Sequence, residues 1–328
     1  MTALAEQPSS TDRGEHRRSA FGLELSIDPR ISIPGLIQEA GAADAQPPTR
    51  VILDGGELDQ RWEALTTAPL RAREISWGPT LLLSVDFAEP AGYLLWARDY
   101  GRVLISPDGL ELVCEPDTTN DDWASIVAAQ ALPLAATIRG LEVLHASGVV
   151  LHGKALLIAG PPGAGKSSLA AALVRAGAQL LSDDAVALQL GDGKLIAHPG
   201  SVMLQLRTEE DRRLHNDARA TLGQPAAVSS GKYRYLPASS PGPTAVGCVL
   251  LLERSAEQPA LEPLQAVSPF ELIASTFNLS VRTPDRLRRQ LDVVSTIASA
   301  GLVHRLRVQP DVDATRLAEI IQAQLLER

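Results

Sequence analysis

The stretch that most constrains this chain runs from Ala155 to Asp184: ALLIAG, then PPGAGKSS, then an alanine-rich segment, then QLLSDD. Gly160, Gly165, Lys166 and Ser167 stand at the G-x-x-x-x-G-K-[ST] spacing of a phosphate-binding P-loop. Ala155 to Ala159 reads as a short buried parallel strand. Leu169 to Ala176 is strong helix-forming sequence that Gly177 stops. Gly163 and Gly165 lack a Cβ, so backbone N–H groups can close around phosphate oxygens, and the helix N-terminus adds its own unpaired donors. Gly160, Gly163, Ala164, Gly165, Lys166, Ser167 and Ser168 are therefore the expected nucleotide contacts. Lys166 would reach the β- and γ-phosphates, and the Ser167 hydroxyl would ligate Mg²⁺.

Connectivity places a second group beside this loop. A strand, a short helix and a second strand at Gln179 to Leu181 make a minimal βαβ unit. A right-handed crossover returns the second strand parallel to the first, so both end at the same edge of the sheet. Asp183 and Asp184 are then expected at the end where phosphates sit.

The 328 residues are enough for about two domains. The net charge of −9 argues against a nucleic-acid partner held by phosphate contacts. No apolar run is long enough to span a bilayer, and the polar N-terminus lacks a signal-peptide core. Cys114 and Cys248, the only cysteines, are expected as buried thiols, and the protein as cytoplasmic with no membrane partner. Oligomeric state is not legible.

In chain order, residues 1–19 are expected as a disordered tail. Residues 20–120 carry strand-like runs, the last three predicted to form a meander, and make a small β-rich domain. Trp62, Trp77 and Trp96 are expected to pack in its core or at its edge. Residues 121–328 form the P-loop domain. It opens with a helix over 121–140 that Pro133 should kink or split. A hairpin over 141–159 follows, with His145 in the middle of its first arm. Past the carboxylates come a hairpin, a strand near Val202 to Arg207, and a charged helix over 208–220. A loop over 229–240 is expected next, where Lys232 and Arg234 could meet a γ-phosphate. Glu253 ends an apolar strand and ranks below the Asp pair as a metal-site carboxylate. Helices are predicted over 269–277, 287–300 and 313–326. No N/T-K-x-D guanine-reading motif and no L-S-G-G-Q-like segment occurs, so ATP is the expected nucleotide.

With HASG at 145–148, GPPGAGKSS at 160–168 and LLSDD at 180–184, the chain resembles the HPr serine kinase/phosphorylase family. It is most similar to divergent members, including kinases that tailor lasso-peptide precursors. The resemblance implies an α/β fold, an HPr-kinase-like P-loop domain whose mixed sheet has flanking helices, behind a small β-rich domain. It implies Asp183 as the base that takes a hydroxyl proton, Asp184 as a Mg²⁺ ligand or ordering group, and His145 near the transferring phosphate. The family's glycine-bearing signature after the carboxylates is replaced by Leu204-Gln205-Leu206-Arg207-Thr208, which points away from HPr as substrate. The expected activity is an ATP- and Mg²⁺-dependent kinase acting on a serine hydroxyl of a peptide or small protein. A small-molecule hydroxyl kinase and a non-catalytic ATP-binding regulator are the alternatives.

Overall fold

The computed structural model describes residues 16–38, 47–191, 193–229, 231–237, 239–255, 257–277, 279–309 and 312–326. Most of the tail expected over 1–19 lies outside these residues. Its last four residues belong to the strand His16–Ala20, which pairs antiparallel with Leu23–Ile27.

The first half of the chain makes one nine-stranded sheet. The expected meander is present as Gly92–Ala97, Gly101–Ile105 and Glu111–Pro116, and it continues outward through Thr80–Ala88 to an edge strand, Leu70–Trp77. That edge strand was not legible: LRAREISW is mostly exposed, so it shows no alternation of buried and solvated positions. Of the three tryptophans, Trp62 packs on a small cluster around Leu58 and Leu104, whereas Trp77 is 81% exposed at the end of the edge strand.

The second half builds another nine-stranded sheet around Thr244–Arg254. This strand lies parallel to the P-loop strand Lys154–Ala159 on one side and to Val303–Val308 on the other. The P-loop helix is Lys166–Arg175, followed by Gly177 with φ of 99°. Gln179–Ser182 does return parallel to the P-loop strand, but the two are not neighbours. Ala146–Leu151 lies between them, antiparallel to both.

The expected hairpin arm over 141–150 is broken at His145. Glu142–Leu144 pairs with Val186–Gly191, and Ala146–Leu151 pairs with the P-loop strand, so His145 sits where the chain changes partners. Pro133 splits the preceding helical stretch as expected, leaving a π-helical turn at Val127–Ala131 and an α-helix at Leu132–Ile138. The charged helix over 208–220 is two short helices, Thr208–Arg212 and Asn216–Leu222. The stretch over 229–240 is no open loop: Lys232–Leu236 is the central strand of a small sheet, between Leu204–Arg207 and Gln224–Ser229. Its Tyr235 is buried, and its alternation was hidden by flanking Ser, Gly and Pro.

The boundary near residue 120 does not separate two cores. One apolar cluster runs from Phe21, Leu25 and Val85 through Leu132 and Leu134 to Val143, Ala187 and Phe277. Contact is tight at Gly200, where a Cβ would come within 2.6 Å of the Phe21 ring, and the Phe21 N–H donates to the Pro199 carbonyl at 2.6 Å. Both cysteines are buried thiols outside any disulfide, and burial pushes the Cys114 thiol up to about 12. Among the described residues no helix is long and apolar enough to cross a membrane.

Candidate active site

The glycine-rich loop takes the backbone form its sequence predicts. Gly163 and Gly165 take φ of 76° and 98°, the left-handed region that glycine enters without steric cost, and a Cβ on Gly165 would meet nothing within 4 Å. The turn is closed by Ala164 N–H donating to the Pro161 carbonyl at 3.1 Å, with the Ala164 side chain buried. The first-turn N–H groups of Lys166–Arg175 have no intrahelical partner and face the loop. Lys166 Nζ curls back to donate to the carbonyl oxygens of Gly160 at 3.0 Å and Pro161 at 3.4 Å. Burial lowers its pKa, and the charges of Asp184 and Asp183 oppose that shift.

Chain connectivity does bring the carboxylates here. Ser167 Oγ donates to Asp183 Oδ1 at 2.9 Å. The same oxygen accepts from Ser147 Oγ at 2.6 Å and from the Asp184 N–H at 3.1 Å, while Oδ2 accepts from the Gln205 N–H at 3.1 Å. Asp183 is therefore buried and ringed by donors. Burial raises its pKa, the neighbouring Asp184 charge adds to that, and the bonds from Ser147, Gln205 and Ser167 oppose it.

Asp184 has the contrasting environment. Its side chain is 46% exposed and its φ is 73°, a left-handed conformation that costs a non-glycine residue on the order of 1 kcal/mol. Two contacts hold it: its N–H to Asp183, and its carbonyl oxygen accepting from His145 Nδ1 at 2.9 Å. A carbonyl only accepts, so Nδ1 carries a proton in this contact. The same Nδ1 lies 3.3 Å from Asp184 Oδ1. The break in the strand at His145 is what aims the ring at Asp184 rather than into the sheet.

Other expected residues are further from the cradle. Ser168 Oγ donates to Glu210 Oε1 and so ties the P-loop helix to Thr208–Arg212. Lys232 is exposed, 3.5 Å from Gln205 Oε1, and reaches the site only through Gln205. Arg234 is buried against Asp122 and is a structural ion pair between the two halves of the chain. Glu253 turns away from the cradle to pair with Arg305 at 2.7 Å.

Sequence reasoning missed Ser147, Gln205, Arg207 and Arg254. Arg254 donates to the Gly163 carbonyl at 2.7 Å, and the Arg207 guanidinium lies against Gly163. Ser147 carried a signal, as the third residue of HASG; the other three are near the loop only because strands remote in sequence end there.

The P-loop helix has two unequal flanks. Beyond Gly163 and Gly165, at the carboxyl ends of Thr244–Arg254 and Val303–Val308, lies a cavity of about 640 Å³. Leu206, Leu214, Leu252 and Val312 line it together with Arg207, Arg213 and Arg254. On the carboxylate flank a much smaller cavity of about 20 Å³ lies between Phe21, Ser125, Met203 and Gln205 and the carboxylates Asp183 and Asp184.

No protein-family model matches the chain, and no curated protein matches it in sequence. Among solved structures, the HPr(Ser) kinase/phosphatase from Coxiella burnetii matches 57% of this chain and 97% of its own length, at 14% identity and a TM-score of 0.31. A likeness that weak transfers neither residues nor activity, so the function is argued from the geometry.

Proposed function

We propose that the protein is an ATP- and Mg²⁺-dependent kinase that phosphorylates a serine hydroxyl on a peptide or small protein. One observation carries this reading: Ser167 of the cradle is bonded to Asp183, and the exposed carboxylate of Asp184 stands next in the chain.

The cavity beside Gly163 is the place for the nucleoside, since ligands of parallel sheets bind at the carboxyl ends of the strands. Its apolar lining suits a base, and its arginines suit ribose and phosphate oxygens. The first-turn N–H groups and Lys166 then hold the phosphates. Ser167 and Asp183 fit a magnesium ion that takes one or two protein oxygens and completes its shell with phosphate oxygens and water. That ion, when bound, spreads the charge on the phosphoryl oxygens.

A serine hydroxyl must lose its proton as the phosphoryl group arrives. Among the two carboxylates, Asp184 is the better placed base, because Asp183 already accepts four hydrogen bonds and is shielded from an acceptor. The roles are thus exchanged relative to the sequence-based expectation. His145 fixes the Asp184 backbone and keeps the carboxylate turned toward the opening. A peptide acceptor is favoured by the exposed edge strand Leu70–Trp77, since a sheet edge can take on an extended chain.

The test incubates the protein with ATP, magnesium and peptides encoded next to its gene, and reads an added phosphoryl group by mass spectrometry. Asp184→Asn should retain nucleotide binding and lower transfer by about 10²- to 10⁴-fold, the usual contribution of a positioned base. Transfer at the wild-type rate in Asp184→Asn removes the base assignment.

A further inference from the structure

The first sheet turns one cation inward, toward the connecting segment and Phe277. Arg73 lies in the edge strand Leu70–Trp77, where Arg71 pairs with Asp86 and Arg73 with Val85, so Ala72 is the extra residue of a β-bulge. A bulge re-aims the side chains beside it, and this one is pinned by Arg282 Nη2 donating to the Ala72 carbonyl at 3.3 Å. The Arg73 guanidinium is directed inward. It donates to Gln130 Oε1 at 3.1 Å and lies 5.8 Å from the centre of the Phe277 ring. That ring is 6.2 Å from the His145 ring, and His145 holds Asp184.

Its neighbours Arg71 and Arg102 in this sheet are bonded to carboxylates; Arg73 is in no ion pair among the described residues. Burial lowers its pKa, and the one charge opposing that is Asp184. Lys166 also feels the Asp184 charge, from the cradle side. Asp184 therefore stands within electrostatic reach of two cations, Arg73 on an edge strand of the first sheet and Lys166 at the start of the P-loop helix. A half-buried guanidinium bonded only to a neutral amide is ready for an anion. The reaction proposed above delivers one to this place: the phosphoryl group leaving the cradle, which must approach a carboxylate of like charge.

We propose that Arg73 is a catalytic residue that contacts the transferring phosphoryl group from the acceptor side, opposite Lys166, so that the first sheet completes the active site. This rests on the kinase reading of the P-loop. A guanidinium so placed acts where charge develops and relieves the repulsion between Asp184 and the incoming phosphoryl oxygens.

The experiment compares the affinity of the full-length protein for ADP alone and for ADP with magnesium and aluminium fluoride, by displacement of a fluorescent ADP analogue. Aluminium fluoride mimics the phosphoryl group in flight. Wild type should bind the fluoride complex at least about tenfold more tightly than ADP, as sites complementary to a transition state do. Arg73→Ala should lose that gain and keep its affinity for ADP within about twofold, while Arg73→Lys keeps part of the gain. Gln130→Ala, which removes only the neutral partner, should keep the gain in full. The proposal is overturned if the gain survives in Arg73→Ala, if wild type shows none, or if Gln130→Ala loses as much as Arg73→Ala. Failure of ADP itself to bind wild type would sink the P-loop reading as well. A persisting gain in Arg73→Ala beside active peptide phosphorylation sinks this inference alone.

Discussion

The cavities on the two sides of the P-loop helix differ by more than an order of magnitude in volume, about 640 Å³ beside Gly163 against about 20 Å³ beside the carboxylates. The open flank is made within the second half of the chain, from the ends of parallel strands and two short helices. The closed flank is made by both halves: Phe21 of the first sheet, Ser125 of the connecting segment and Gln205 of the small sheet surround the carboxylates. The difference teaches how the labour divides. On the proposed reading, a nucleoside needs room and generic apolar contact, whereas proton removal needs a carboxylate held in place, as His145 holds Asp184. Asp183 shows what burial costs, because it raises the pKa and the bonds from Ser147, Gln205 and Ser167 oppose the shift.

The sharpest way to break this comparison is to neutralise each carboxylate in turn. Asp183→Asn removes the charged acceptor behind Ser167 and should raise the magnesium concentration needed for half-maximal nucleotide binding by about 10- to 100-fold, the usual cost of losing an outer partner of a metal ligand. Asp184→Asn should leave that requirement within about twofold, since its carboxylate makes no bond to Ser167. Equal magnesium requirements in the two variants would erase the assigned division. Magnesium titrations of nucleotide binding read both.

A smaller effect is expected on the open flank. Val312→Trp should fill part of the cavity and weaken ATP binding by about tenfold, or about 1.4 kcal/mol, without changing the KM for a peptide acceptor. A rise in acceptor KM instead would place the acceptor, not the nucleoside, in this cavity.

The smallest effect concerns how the closed flank is held. Glu142, in the strand leading to His145, is buried with Arg286 at 2.8 Å, and Arg286 also bonds Gln290. Burial pushes the Glu142 carboxyl from its ordinary 4.5 up to about 7, against the pull of Arg286. The folded state therefore holds a proton that the unfolded chain has released. This contribution to stability is fully present below pH 4.5 and is lost as pH rises through about 7. Glu142→Gln, which keeps the neutral form at every pH, should flatten that dependence in melting curves taken from pH 5 to 8. An unchanged slope would show that Glu142 is ionised in the fold throughout.

Much of the site was legible because it is local. The spacing of Gly160, Gly165, Lys166 and Ser167 and the strand and helix around it are short-range statements, and handedness of the crossover carried Asp183 and Asp184 to the same edge. What was not legible lay in pairing. His145 stood in a strand by pattern, yet its neighbours on either side pair with different strands. Lys232–Leu236 looked like a loop because its partners lie over 20 residues upstream and beyond a turn. Arg73 carried no signal at all, because a charged, exposed strand reads as surface.

By itself, then, the order of residues determined the glycine-rich loop with its strand and helix, the order of most strands and the presence of two acids beside the loop, since these depend on backbone geometry within about 30 residues. Only the tertiary structure decided which acid is buried and which is open, and which side chains from the first sheet reach them. Burial and hydrogen-bond partners are set by segments far apart in the chain, and it is those partners, not the identity of the carboxylate, that separate Asp183 from Asp184.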